Sequence, residues 1–170
     1  MSRPIKEGEL PSGALLESYR VAGGHVDCFV ADVTGAVALP DLIIAFYSSS
    51  AFRPERWLLG AVLGKPADDA DVARLATGHT ERFSVWKVEG RRGDEILLCD
   101  YQGKTRSWLK VATIPDGTRL HFGSAVVPAK NRTDKAAFTL LLGLHKWYSR
   151  TLLRGAVRQL DRRPRPAEGP

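Results

Sequence analysis

The chain has 170 residues, of which 44% are hydrophobic and 26% are charged, as is typical of one soluble globular domain with a core of its own. Its net charge of +6 is uneven. Residues 130–170 hold 10 Lys/Arg against 3 Asp/Glu, whereas residues 1–129 hold 15 against 16. The basic character therefore belongs to the C-terminal quarter, which argues against a protein that binds nucleic acid over its whole surface.

Targeting segments and metal motifs are not predicted. The first 20 residues contain no apolar stretch of the kind found in secretory signals, so we expect a cytoplasmic protein. Cys28 and Cys99 lie far apart and outside any metal or redox motif, which predicts two free thiols. The sequence has no nucleophile elbow, no metal-ligand spacing and no phosphate-binding glycine loop, and we therefore predict no metal and no cofactor.

The first 80 residues predict one strand and several short helices. Ser2–Leu10 is polar and expected to be loose, and Ser12–Ser18 fits one or two helical turns. The side chains of the next segment, His25–Val33, are typical of a strand. Two short helices are predicted next, with Pro40 and Pro54 near their starts, and Asp68–Ala76 fits a further short helix.

From Thr80 onward the apolar period changes to two, which is typical of strands. Gly and Pro-Asp-Gly turns divide this region. Short connections favour sequential antiparallel pairing, so we expect a meander. Its predicted strands are Arg82–Val88, Glu95–Tyr101, Thr105–Ile114 and Thr118–Val127.

One long amphipathic helix is predicted over Thr133–Arg163, with Thr133 or Asp134 as its N-cap. At 1.5 Å per residue it spans about 40 Å, enough to cross the whole domain. Its apolar run of about nine residues is too short for a membrane span, which needs about 20. Residues 164–170 form a Pro-rich basic tail, so the domain is expected to occupy 1–163. The apolar face consists of Phe138, Leu141, His145, Tyr148, Leu152, Ala156 and Leu160.

This order of elements predicts an α+β fold, in which a curved antiparallel sheet wraps around the long C-terminal helix and two short helices follow the first strand. This is the helix-grip arrangement.

Short stretches also point to a family. They are Tyr19 with His25–Phe29, Ala45–Tyr47, Pro54–Trp57, the strand pair Cys99–Arg106 and the leucine-rich final helix. Over residues 11–155 the chain resembles an uncharacterised bacterial family, domain of unknown function 2867, which looks like a member of the START-like, or SRPBCC, superfamily. The resemblance implies the helix-grip fold and the binding of a small hydrophobic molecule, a lipid or an aromatic compound, between sheet and helix. It brings no catalytic residue.

The first functional hypothesis is therefore a ligand cavity under the long helix, and the alternative is a filled core. Alternation leaves open whether Phe83 or Trp86 faces inward. The predicted wall consists of Phe83, Trp86, Leu98, Trp108, Phe122, Leu141, His145 and Tyr148.

The second hypothesis is an enzyme, a small cyclase, hydrolase or isomerase that acts on an apolar substrate with His145, Tyr148 or Asp100 as acid or base. Asp100, Arg106 and His121 lie on neighbouring predicted strands and could bind a carboxylate, or they could form an ordinary cross-strand ion pair.

The third hypothesis concerns Arg150, Arg154 and Arg158, which recur every four residues along the long helix. They form either a solvated face or a contact for an anionic partner, a nucleic acid or an acidic membrane surface. Aromatic residues are not interleaved with these arginines, which argues against single-stranded nucleic acid.

Overall fold

The computed structural model describes residues 4–53, 68–127 and 135–162, and the side chains of all of these except 135–145. The fold is α+β. Its elements in chain order are β1 (Lys6–Glu7), α1 (Glu17–Val21), β2 (His25–Thr34), α2 (Leu39–Tyr47), α3 (Asp69–Ala76), β3 (Arg82–Phe83), β4 (Trp86–Arg91), β5 (Glu95–Asp100), β6 (Thr105–Ile114), β7 (Gly117–Val126) and α4 (Lys135–Asp161).

The strands form one antiparallel sheet in the order β1-β2-β7-β6-β5-β4-β3. Strands β3 to β7 pair each with the next along the chain, so the predicted meander is confirmed. The long strand β2 pairs with β7 over its whole length, which places the first predicted strand beside the last. The edge strand β1 lies in a segment that was expected to be loose, and it pairs with β2.

Phe83 and Trp86 belong to a tight hairpin and not to one alternating strand. The prediction of a single strand over Arg82–Val88 was wrong because the chain turns at Ser84, which adopts a left-handed φ of 52°. Phe83 and Trp86 are direct register partners across the turn. Opposite residues of an antiparallel pair share a face of the sheet, so both aromatic rings lie on the same side.

The short helices follow the predicted positions with small shifts. Pro40 occupies the first turn of α2, where its missing N–H costs nothing. Asp68 and Asp71 form a capping box at the start of α3. Helix α1 begins at Glu17, later than expected. The predicted helix near Pro54, the N-cap of the long helix and the tail 164–170 fall outside the described residues.

The sheet has a covered layer on each face. On one face, here called the helix face, α2, α3 and α4 bury a large core together with β2 and β5–β7. On the other, the N-terminal face, the segment around Ala14–Tyr19 packs on a smaller core. Helix α4 buries Ser149, Leu152, Leu153, Ala156 and Val157.

Close packing fixes α4 against the chain that follows α2. A Cβ added at Gly155 would lie 2.9 Å from the Ala51 Cβ and 3.0 Å from the Ser49 Oγ. Among the helices described, none is long and apolar enough to cross a membrane.

Candidate functional site

A row of polar residues crosses the helix face of the sheet. Asp27 on β2, Ser124 on β7 and Ser107 on β6 are successive register partners, and Leu98 continues the row on β5. The three polar side chains are at most 8% exposed. Directly opposite residues have Cβ atoms about 4.5–5.5 Å apart, so these groups are neighbours. Together with Tyr47, the last residue of α2, they are called the polar row below.

Hydrogen bonds tie the polar row together. Asp27 Oδ1 accepts from both the backbone N–H of Ser124, at 3.0 Å, and its Oγ, at 2.7 Å. The hydroxyls of Tyr47 and Ser107 are 3.2 Å apart. Buried polar groups are costly unless they are paired, so each member of the row depends on its neighbour.

Aromatic side chains surround this row. The Tyr47 ring lies 5.2 Å from Phe83 and packs edge-on to Phe52 at 4.9 Å. Phe122 contacts Phe46 with a centroid separation of 4.7 Å. A few fixed polar groups among apolar walls are the usual composition of a small-molecule site.

Three further buried polar atoms lack a hydrogen-bond partner among the described residues. Trp86 packs against the helix-face core, and His25 lies two residues before Asp27, on the same side of β2. Within the described part of the chain, Trp86 Nε1, His25 Nε2 and the Oγ of Ser149 on α4 are buried without a hydrogen-bond partner. Each such group costs about 1–3 kcal/mol when unpaired. Among the described residues, the helix face of the sheet therefore holds hydrogen-bonding groups that no protein group uses.

Five of the predicted wall residues come together on this face. Phe83, Leu98 and Phe122 are buried in the helix-face core, and Trp86 packs against it. Tyr148 is half-buried against the same core. The side chains of Leu141 and His145 lie outside the described residues.

Trp108 does not join them, because its side chain points to the N-terminal face. There it packs with Leu16, Cys28 and Leu97, and its Nε1 donates to the Glu95 carboxylate at 2.7 Å. Placing Trp108 in the same wall was therefore wrong. Alternation along β6 puts it on the side opposite to Ser107, its neighbour in sequence.

Asp100, Arg106 and His121 do not assemble into one site either. The Asp100 carboxylate accepts from the backbone N–H groups of Lys104 and Thr105 and closes the β5–β6 turn. Arg106 pairs with Glu89 at 2.8 Å. His121 lies opposite Lys110, four positions from the register partner of Arg106 on β7.

Sequence reasoning missed the polar row, although a signal was present. Asp27 interrupts a strand of apolar residues, and Ser107 and Ser124 occupy positions at which alternation predicts buried side chains. Polar residues at inward strand positions are uncommon unless they are paired. Of the groups described, no three His, Cys, Asp or Glu side chains are placed to hold a metal ion.

Burial decides the state of the Cys28 thiol. Desolvation, with the charge of Asp27 beside it, raises the pKa of Cys28 to about 12. The thiol is therefore neutral at physiological pH and serves as a small apolar side chain in the N-terminal-face core.

No protein-family model and no curated protein matches the chain. Two solved structures are similar to it. A crystal structure of a Rhodobacter sphaeroides protein has a TM-score of 0.41 and 15% identity, over 92% of this chain and 95% of that one. The solution structure of CalU16 from Micromonospora echinospora has a TM-score of 0.38 and 12% identity, over 92% of this chain and 74% of the other. Because both TM-scores are below 0.5, these two similarities add nothing to the description of the fold, which rests on the strand pairing given above.

Proposed function

We propose that the chain is a START-like, helix-grip domain that binds a small hydrophobic molecule between the sheet and α4. One observation carries the proposal, namely a buried polar row set among aromatic side chains on the face that α4 covers. The arrangement of a long C-terminal helix laid on an antiparallel sheet supports it.

The composition of the site suggests an amphipathic ligand. Phe83, Trp86 and Phe122 would contact an apolar body, whose burial contributes about 25 cal/mol per Å2. The Trp86 Nε1 can only donate, so it would hold a carbonyl or hydroxyl oxygen. The hydroxyls of Ser107 and Tyr47 can both donate and accept, and would fix the orientation of that group.

The experiment tests for a bound molecule first. The protein would be purified from cells and denatured, and the released small molecules measured by mass spectrometry. In parallel, titration with a naphthalene-sulfonate dye would report an apolar site by its fluorescence. We expect dye binding that is displaced by the released molecule. A protein that releases nothing and binds no dye contradicts the proposal.

Asp27→Asn tests the polar row itself. Asparagine can still accept from Ser124, so the fold should survive, while the charge is lost. The charge-assisted hydrogen bond to Asp27 fixes the Ser124 hydroxyl beside Ser107, so weakening it should disturb the polar row, and we expect ligand affinity to fall about tenfold. Asp32→Asn is the matched control, because it makes the same change on the same strand, on the side that faces Arg119. Equal affinity in both variants would exclude the polar row from the site.

A further inference from the structure

The outward face of α4 carries one exposed indole between basic residues. Trp147, Arg154 and Arg158 are separated by seven and four residues, so at 3.6 residues per turn they lie within about 40° of one another. They lie opposite the buried residues Leu152 and Ala156. Trp147 is 67% exposed, although it is the kind of side chain that folding usually covers.

This stripe has an excess of positive charge. Lys146 and Arg150 each approach Glu7 of β1 at 3.3 Å, which anchors the helix to the edge strand. Further along, Arg154 and Arg158 are exposed, and no ion pair to them is present in the part of the chain that the structure describes. Asp161, the last residue, is the one acidic residue of α4.

We propose that the outward face of α4 docks on an anionic phospholipid surface. Trp147 would lie at the level of the headgroups, where an amphipathic indole is favoured, and Arg154 and Arg158 would contact lipid phosphates. The stripe from Trp147 to Arg158 is about 16 Å long and follows one helix, which suits a flat surface. A single indole does not form the series of stacking rings with which proteins hold single-stranded nucleic acid.

This inference is independent of the proposed ligand site. The stripe points away from the sheet, whereas the polar row lies beneath the helix. Either proposal can fail without the other.

Co-sedimentation of the full chain with vesicles tests the docking. We expect binding to vesicles of phosphatidylcholine mixed with phosphatidylglycerol, little binding to phosphatidylcholine alone, and weaker binding as salt is raised. The double variant Arg154→Gln with Arg158→Gln should bind the anionic vesicles about 25-fold more weakly, or about fivefold per arginine. The matched control is Arg82→Gln with Lys87→Gln, which removes two exposed charges from β3 and β4 and should bind like the unchanged protein.

Tryptophan fluorescence supplies a second readout. Emission should shift to the blue on anionic vesicles, and Trp147→Phe should remove most of that shift, since of the other indoles described Trp108 is fully buried and Trp86 packs against the helix-face core. The proposal is overturned if the unchanged protein does not bind, or if the arginine variant binds like its control. It is also overturned if duplex DNA or RNA, and not vesicles, binds in a manner that depends on Arg154 and Arg158.

Discussion

The two faces of the sheet treat buried polar groups differently. On the N-terminal face, Glu95 is 1% exposed and its carboxylate is fully used. It accepts from Trp108 Nε1 at 2.7 Å, from the Leu15 backbone N–H at 3.0 Å and from Arg92 at 2.8 Å. On the helix face, donors such as Trp86 Nε1 are buried with no partner among the described residues. A satisfied network holds a structure together, and unused capacity is available to a ligand.

Packing on the N-terminal face is correspondingly tight. A Cβ at Gly123 would lie 2.7 Å from Leu16 Cδ2 and 2.9 Å from the Trp108 ring, so only glycine lets both side chains settle on the sheet. The N-terminal face is therefore packed as a scaffold, whereas the helix face is the one on which we propose that a ligand binds.

The largest effect is expected from Glu95→Ala. It leaves the Trp108 and Leu15 donors without an acceptor, and the first of these is deeply buried. We expect the free energy of unfolding to fall by about 3–4 kcal/mol, measured by urea denaturation. The segment around Leu15 should also become more accessible to proteases, because the carboxylate joins it to the sheet.

Two further variants test whether the hydrogen bonds of Glu95, and not a negative charge at this turn, stabilise the fold. Glu95→Gln keeps an acceptor for Trp108 and should lose less stability than Glu95→Ala. Asp94→Ala removes the neighbouring, exposed carboxylate, which pairs with Lys110 at the surface. That change should cost less than about 1 kcal/mol. If Asp94→Ala and Glu95→Ala are equally damaging, the N-terminal face is not held by Glu95.

The sequence was a good guide to elements and a poor one to side-chain partners. Period-two alternation located β5, β6 and β7 within one or two residues, because one buried face imposes that pattern. It did not reveal the turn at Ser84, because the alternation continues through the loop. Nor could it show that Trp108 meets Glu95 on the neighbouring strand, because both faces of this sheet are covered and alternation alone does not tell which face a strand residue occupies.

His121, unlike Glu95, is buried on the N-terminal face without a full set of hydrogen bonds among the described residues. It carries the second-largest expected change in stability. Its ring is 6% exposed, and within the described residues its Nδ1 has no hydrogen-bond partner. Burial, with the charges of Arg119 and Lys110 nearby, lowers the pKa of His121 from 6.5 to about 4. The unfolded chain therefore takes up a proton before the folded chain does as the pH falls. The contribution of neutral His121 to the free energy of unfolding should be fully present above about pH 6.5. It should fall by about 2–3 kcal/mol as the pH is lowered toward 4.

His121→Gln isolates that contribution, because carboxylates also titrate in this range. The difference in unfolding free energy between the unchanged protein and the variant should itself depend on pH between about 6.5 and 4. His79→Gln makes the same change at an exposed histidine, bonded to Thr77, and serves as the control. A difference that stays constant with pH would mean that His121 titrates normally.

The smallest effect is expected from Tyr19→Phe, at the rim of the N-terminal face. The Tyr19 hydroxyl accepts from Arg106 Nε at 2.8 Å and donates to Glu89, while the Arg106 guanidinium lies 4.5 Å from the ring centroid. Phenylalanine keeps the stacked ring and loses both hydrogen bonds, and the direct pair between Arg106 and Glu89 remains. We expect a loss of about 1 kcal/mol in urea denaturation and no change in ligand affinity, because this cluster lies across the sheet from the polar row. Tyr101→Phe, at an exposed turn, is the control and should change neither quantity. A ligand affinity that fell with Tyr19→Phe would show that the two faces are coupled, and the division between scaffold and binding face would then be wrong.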